Sequence, residues 1–413
     1  MTTTPNPTST LHRKTFSLDA AAPLDGVRVL DLSRLVAGNV ATHLLADFGA
    51  EVVKIETPGK GDDLRNWRTK GTPSHWKVYS RNKKSVTLNL RIERARELLL
   101  DLVATAQVLV ENFVPGRLES IGLGPDVLLA RNPNLIVLRV SGWGQTGPFR
   151  DKPGFGSLIE AYSGFAARNG FGDRAPVLPP LALADMVAGT QGAFAVMIAL
   201  RAIETGGGAG QTIDLSLLEP MHSILGPEAL NNRLTGEVME RTGSRSNISA
   251  PRNVYRCGDG KYVAMSASMQ SMSERLMRTI GRPELIDDPR FRTNTDRVAN
   301  NDELDSIIAA FMAERDQAEI LRICDEAGVT VGPVRDAGDL SDDDYMRERE
   351  VLIEVPDADL GSIPMHNISP RLSETPGALR RPAPELGQHT DEVLATLGLS
   401  GDALAVLRDE GII

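Results

Sequence analysis

The sequence predicts an α/β chain: a Rossmann-like large domain with a parallel sheet, and a smaller α+β domain behind it. Three observations predict it. Short apolar, β-branched runs alternate with helical-period segments from Pro23 to about residue 144, the pattern of a parallel sheet covered by helices on both faces. A hairpin signature with two amphipathic helices follows in a stretch of different texture. The chain has 413 residues, too many for one compact core.

The elements follow in order. GVRVLDL (26–32) reads as a buried strand. Residues 38–48 place Val40, Leu44, Leu45 and Phe48 at helical spacing. EVVKIE (51–56) and KSVTLNL (84–90) read as strands, and IERARELLLDLVATA (92–106) as an amphipathic helix. QVLVENF (107–113) and LIVLRVSGWG (135–144) are further strands. No GxGxxG follows the first strand, so the dinucleotide fingerprint is missing. GGGAGQ (206–211) lacks the GK[ST] ending of a phosphate loop and reads as a helix stop and turn.

Residues 226–250 are polar and turn-rich and read as a linker. In 253–267, Asp259–Gly260 between two strand-like runs signals a hairpin. Amphipathic helices are expected over 302–314 and 317–327, and 336–350 reads as a second linker. Two short helices close the chain, the first with Thr390 as its cap.

Composition narrows the function. A net charge of -10 argues against a nucleic-acid partner. Two cysteines, Cys257 and Cys324, make no disulfide framework, which points to a reducing, cytoplasmic compartment. The first twenty or so residues are polar and lack the apolar core of a signal peptide. Around Met186–Leu200 the longest apolar stretch is interrupted by Gly189–Gly192. A span needs about 20 apolar residues, so the reading is a buried helix and no membrane partner. The six histidines are scattered, with no HxH, HExxH or Cys/His cluster, so no metal is expected. No GxSxG marks a serine hydrolase.

Asp185 is the candidate nucleophile. It follows the apolar run Pro179–Ala184 and precedes a small-residue helix. A helix N-terminus stabilises the ionised carboxylate while apolar surroundings oppose it. An ionised, poorly solvated carboxylate is what attack on a thioester requires. A plain N-cap is the other reading of the same residues. Lys54, Arg81, Lys83, Lys84 and Arg91 lie in or beside the early strands and are candidate phosphate contacts, or surface charges. Asn82 stands beside them. Asn112 and Phe113 close a strand where a βα loop would face a ligand crevice. Gly38 opens the first helix, to meet an anion or for tight packing.

Six stretches in order, from PLDGVRVLDLSRLVAGNVATHLLADFGAEVVKIETPGKGDDLRNW (23–67) through RNKKSVTLNLR (81–91), VENFVPGRLESIGLG (110–124), PPLALADMVAGTQGAFAVMIALRAIETGGGAGQTIDLSLLEPM (179–221) and NVYRCGDGKYVAM (253–265) to PAPELGQHTDEVLATLGLS (382–400), resemble the family III CoA-transferases. The resemblance implies that Asp185 carries first the acyl group and then CoA. It places Val36, Ala37, Lys54, Arg81, Asn82, Lys83, Lys84, Asn112, Phe113 and Phe155 against CoA. It implies no tightly bound cofactor, with coenzyme A or acyl-CoA entering as substrate beside a carboxylic acid. Phe155 stands where the racemases of this superfamily carry a histidine, and Val36 where formyl-CoA transferase has a glutamine. Both departures weigh against a racemase and against formyl-CoA. Glu160 lies one turn beyond Phe155, as a site-lining or surface group. Arg245 and Arg252 are candidates for a second carboxylate, which favours succinyl-CoA as donor.

The resemblance also implies an interlocked homodimer. It divides the chain into a flexible arm (1–22), a CoA-binding domain (23–225), a linker (226–250), a small domain (251–335), a second linker (336–350) and a segment returning to the large domain (351–413). The alternatives are an acyl-CoA racemase of the same fold and a catalytically silent subunit of a heteromeric transferase.

Overall fold

The computed structural model describes residues 10–413. Its centre is a six-stranded, all-parallel sheet formed by β1 (Arg28–Asp31), β2 (Glu51–Glu56), β3 (Lys83–Thr87), β4 (Val108–Glu111), β5 (Ile136–Ser141) and β6 (Gln211–Ser216). Their order is β3-β2-β1-β4-β5-β6. The chain runs outward from β1 to β3 and then returns to build the other half from β4, so the order reverses between β1 and β4. In such sheets a ligand crevice opens at that point, outside the carboxyl ends of the strands.

Side-chain alternation explains why both faces are covered. Leu30, Val53, Val86, Leu109 and Val137 point into one core, which contains Leu98, Leu99 and Leu102 of the Glu93–Val103 helix. Val29, Val52, Val108, Ile136 and Leu138 point into the other, against Ala41 and Leu45 of α1 (Ala37–Asp47). Ala188, Val196 and Leu200 of the Leu183–Glu204 helix complete that second core. Gly189–Gly192 do not interrupt this 22-residue helix. It is long and apolar enough by composition to cross a membrane, yet one side packs on α1 and the sheet.

The C-terminal segment belongs to the same unit. Val393, Leu394, Leu404 and Leu407 lie in the first core. The hairpin of β10 (Leu352–Asp357) and β11 (Gly361–His366), with the stretch that follows it, takes up residues of the N-terminal arm: Lys14 N–H donates to Glu354 O at 2.8 Å and Ser17 N–H to Leu379 O at 2.9 Å. Thus the arm, expected to be flexible over 1–22, is pinned by backbone hydrogen bonds from His12 onward; its residues 1–9 lie outside the described ones. Thr390 is not a cap. It is the first residue of its helix, and its hydroxyl accepts from Thr87 N–H at 3.0 Å.

A second compact unit comprises Ala166–Val177 and Glu228–Asp343. It holds a three-stranded sheet in the order β7 (Arg252–Arg256), β8 (Tyr262–Ser266), β9 (Val331–Pro333). Gly260 takes a φ of 85° in the β7–β8 turn, a conformation that favours glycine. Helices Asn301–Ala313 and Gln317–Glu326 bury Leu304, Ile308, Ile320 and Cys324 against the sheet. The stretch read as a linker over 226–250 contains a helix, Glu228–Thr235. The second stretch holds two short helices, Ala337–Ser341 and Asp344–Glu348.

Candidate active site

Asp185 is the acidic residue in the first turn of the Leu183–Glu204 helix; Ala182 holds the cap position without a side-chain bond. The carboxylate faces the start of α1, close enough for the Ala37 N–H to favour its charged form. Glu160 approaches from the Gly156–Tyr162 helix. It is buried, and its Oε1 accepts from Ala184 N–H at 3.1 Å. Burial, then the Glu160 charge, push the Asp185 carboxyl up to about 6; the N–H groups of Ala37 and of Asp185 itself pull the other way. In the contest the sequence left open, desolvation outweighs the helix N-terminus. The group still ionises below neutral pH, as a nucleophile must.

Gly156 makes room for this carboxylate. A Cβ there would stand 2.4 Å from Asp185 Oδ2, so a side chain would displace the carboxylate. Phe155, just before it, is 64% exposed at the rim. Val36 is buried against Val40, Leu64 and Trp76 and ends the loop that delivers Ala37. Asn112 reaches that loop from the end of β4. Its Oδ1 accepts from Arg34 N–H at 2.8 Å and its Nδ2 donates to Arg34 O at 2.7 Å. The Arg34 guanidinium lies 5.4 Å from the Phe113 ring centre. Val36, Ala37, Asn112 and Phe113 are therefore gathered around the crevice between β1 and β4. Gly38 is packed tight, since a Cβ on it would stand 2.2 Å from Ser33 Cβ.

The predicted phosphate cations are elsewhere. Lys54 is fully buried between Asp62, at 2.9 Å, and Asp31, at 3.2 Å. Lys83 pairs with Asp31 at 3.2 Å and donates to Thr42 Oγ1 and Asn39. Burial pushes its ammonium down to about 8, while its two neighbours hold the Asp31 carboxyl down at about 2. Arg81 is buried on Asp47 at 2.6 Å and on His366 O. Asn82, at a φ of 65°, ties Asp47 to the backbone of residues 378–381. Lys84 bridges Glu51 and Glu392. Lys54, Arg81, Asn82 and Lys83 are internal counter-ions and ties, because each is buried on a carboxylate partner; Lys84 is partly exposed and its partners lie at the surface. In the second unit Arg245 is held by Asp302 and Asp305, which uses the charge expected to meet a substrate carboxylate. Arg252 is exposed on β7.

A cavity of about 400 Å³ opens at the carboxyl ends of β1 to β4, lined by Ser33, Arg34, Thr57, Asn89, Arg91 and Phe113 among others. Arg34, Arg91 and Arg117 line it with exposed guanidinium groups. Arg91 was predicted; Arg34 and Arg117 were missed. Each sits just past a strand, in the loop after β1 and at the helix start after β4, positions the strand pattern could have flagged. Among the described residues no group of three or more His, Cys, Asp or Glu is placed to hold a metal.

The model of CoA-transferase family III matches residues 24–390. The chain belongs to this family. Among similar proteins, the succinyl-CoA–D-citramalate CoA-transferase of Chloroflexus aurantiacus is 42% identical over 395 residues, covering 95% of this chain and 98% of that protein. The alpha subunit of a succinyl-CoA–L-malate CoA-transferase from the same organism is 39% identical, covering 95% of this chain and 92% of the subunit. A crystal structure of a CaiB/BaiF family protein from Brucella suis superposes with a TM-score of 0.81 at 31% identity, covering 92% of this chain and all of that one. The chain is thus a CoA-transferase by family, with the mixed α/β fold of its structural relatives.

Proposed function

We propose that this CoA-transferase moves CoA from succinyl-CoA to a dicarboxylic acid, with Asp185 as the covalent carrier. One observation carries the reading: the half-buried Asp185 carboxylate sits in the first turn of its helix beside the buried Glu160 and against Gly156, where burial and the Glu160 charge push its carboxyl up to about 6. An Asp185 oxygen attacks the thioester carbonyl of the donor. CoA thiolate leaves, and a mixed anhydride forms. The thiolate then attacks the aspartyl carbon, the donor acid departs as its carboxylate, and CoA is held on Asp185 as a thioester. The acceptor carboxylate attacks that thioester, again expelling thiolate and leaving an anhydride. Attack of the thiolate on the acceptor carbonyl gives the new acyl-CoA and restores Asp185. Each thioester is exchanged for another, so the cycle balances without an energy source. When thiolate adds to the aspartyl carbon, negative charge builds on the oxygen facing Ala37 N–H, where a fixed donor is worth most.

The cavity fits the nucleotide end of CoA. Arg34, Arg91 and Arg117 supply exposed cations at the strand ends, and the neighbouring loop leads through Val36 to Ala37 under Asp185. The succinyl and hydroxy-dicarboxylate groups are read from the names of the relatives; the arginine expected to recognise them, Arg245, does not support this. Phe155 offers no proton acceptor, which disfavours the racemase reading. The homodimer remains our reading for the assembly. It is supported by the exposed apolar side chains Phe194, Met197 and Ile198 on the Leu183–Glu204 helix, and a heteromer with a second chain is the outcome that gel filtration would reveal.

The test is a panel of acyl-CoA donors against carboxylic acids, read by mass spectrometry, with hydroxylamine added after donor. CoA transfer with a hydroxamate on Asp185 supports the reading. An active preparation that never yields the adduct ends it. Arg91→Ala and Arg117→Ala should each raise KM for the CoA thioester about tenfold, with kcat held.

A further inference from the structure

The loop between β1 and α1 has an unusual set of partners. All six backbone polar groups of Ser33, Arg34 and Leu35 are bonded by side chains. Ser33 N–H donates to Asp31 Oδ1 at 3.0 Å, and Ser33 O accepts from Lys54 Nζ. Both groups of Arg34 are taken by Asn112. Leu35 N–H donates to Asp62 Oδ1 at 2.9 Å, and Leu35 O accepts from Asn39 Nδ2 at 2.6 Å. Asp62 closes the network, accepting from Asn39 Nδ2 at 2.7 Å and from Lys54 Nζ at 2.9 Å. Leu35 itself has a φ of 61°, which a leucine adopts only when its surroundings impose it.

We propose that this ring of side chains is a clamp that fixes the Ala37 N–H against Asp185, with Asp62 and Asn112 as positioning residues for the nucleophile. The inference rests on the covalent role of Asp185 given above and adds a cause for its geometry. The clamp holds the backbone of three consecutive residues on the path from β1 to Val36, the residue before Ala37. An ordinary loop would leave these groups to water. Here they are bound before substrate arrives, so the donor does not have to reorganise as charge develops on the aspartyl oxygen. It also explains why Lys54 is buried: it ties Ser33 O to Asp62 and Asp31 and is not free to meet a phosphate.

The clamp is tested with Asn112→Ala and Asp62→Asn, keeping Asp185→Asn as the control. Asn112 is half-buried and outside the buried ion network, so its variant is the one to rely on if Asp62→Asn fails to fold. The clamp predicts that Asn112→Ala lowers kcat about tenfold and Asp62→Asn about a hundredfold, the scale set by a misplacement on the order of 1 Å. KM for succinyl-CoA should stay within about twofold. The acidic limb of the kcat–pH profile should move to higher pH, because Asp185 loses a fixed donor, and hydroxamate on Asp185 should form more slowly. A rise in KM with unchanged kcat and an unmoved limb would make Asn112 a CoA contact and overturn the clamp. If Asp185→Asn keeps full activity, the covalent reading fails first; if it is inactive while both clamp variants match wild type, the clamp alone fails.

Discussion

Glu160 holds the residue that immediately precedes Asp185: its Oε1 accepts from Ala184 N–H at 3.1 Å, which places a second carboxylate beside the nucleophile. That charge is one of the two causes that raise the Asp185 carboxyl to about 6. Glu160→Gln keeps an acceptor for Ala184 N–H and removes the charge. Asp185 then ionises at lower pH, so the acidic limb of the kcat profile should shift down. Relative activity at pH 5 should rise on the order of threefold over wild type. An unmoved limb in a folded variant would separate the two carboxylates electrostatically.

Gly156 leaves the space that the Asp185 carboxylate occupies. The added methyl of Gly156→Ala would fall 2.4 Å from Asp185 Oδ2. Either the carboxylate rotates away from Ala37 or the Gly156–Tyr162 helix moves. We expect kcat to drop between about tenfold and a hundredfold, with KM for succinyl-CoA little changed and the thermal midpoint within a few degrees. Full activity would show that the helix yields freely.

Much of this site was legible in the sequence, and the reasons for the misses are physical. Alternation within the strands was visible because each strand of this sheet feeds two cores. Asp185 stood out as an acid among small apolar residues, and the ordered family stretches gave it a role. Lys54, Arg81 and Lys83 were misread because a cation in a strand looks the same whether it faces a ligand or a buried carboxylate. Their partners Asp31, Asp47 and Asp62 are distant in sequence. Only register reveals the pairing: Asp31 of β1 stands opposite Lys54 of β2. Glu160 was ambiguous because its burial depends on where two helices start, which periodicity does not give. The clamp was invisible for the same reason, since Asn112 and Asp62 meet the Ser33–Leu35 loop only through the sheet order.

Acid should destabilise the large unit through a buried histidine pair. His43 and His366 stack edge to face with ring centres 5.7 Å apart. Burial depresses His43 to about 3, with Asp47 opposing and Arg81, His366 and Lys83 adding; His366 falls to about 4 by burial and Arg81, with Asp47 opposing. Neither ring nitrogen of His43 has a hydrogen-bond partner, and Asp47 at 3.5 Å is an ion-pair distance only. Below pH 6.5 the unfolded chain takes up protons that the fold refuses. This part of stability is therefore complete above about pH 6.5 and declines as the pH falls toward 4 and 3. For His43 alone the loss at pH 5 is about 2 kcal/mol. His43→Leu should shrink the gap between urea midpoints at pH 7 and pH 5, and an unchanged gap would sink the assignment.

Asp185 should itself cost the fold stability at working pH. Its carboxyl is raised from 3.8 to about 6, the reverse of a carboxylate that gains an ion pair. Sign follows from linkage: between about pH 4 and 6 the folded chain binds the proton that the unfolded chain has released. Folding is thus favoured by this group on the acid side, and that advantage is lost as pH rises through 6. Above it, the fold bears the burden of an ionised carboxylate beside Glu160 with little water. Asp185→Asn removes that charge. The variant should be inactive yet more stable than wild type at pH 7.5, on the order of 1 kcal/mol after allowing for partial solvent access. The gain should vanish at pH 4.5, where the wild-type carboxyl is already protonated. Denaturant midpoints at the two pH values measure this directly, and it is the expected signature of a group retained for chemistry against the interest of the fold. A variant that is destabilised at both would mean that Asp185 is a structural anchor, and its raised ionisation would need another cause.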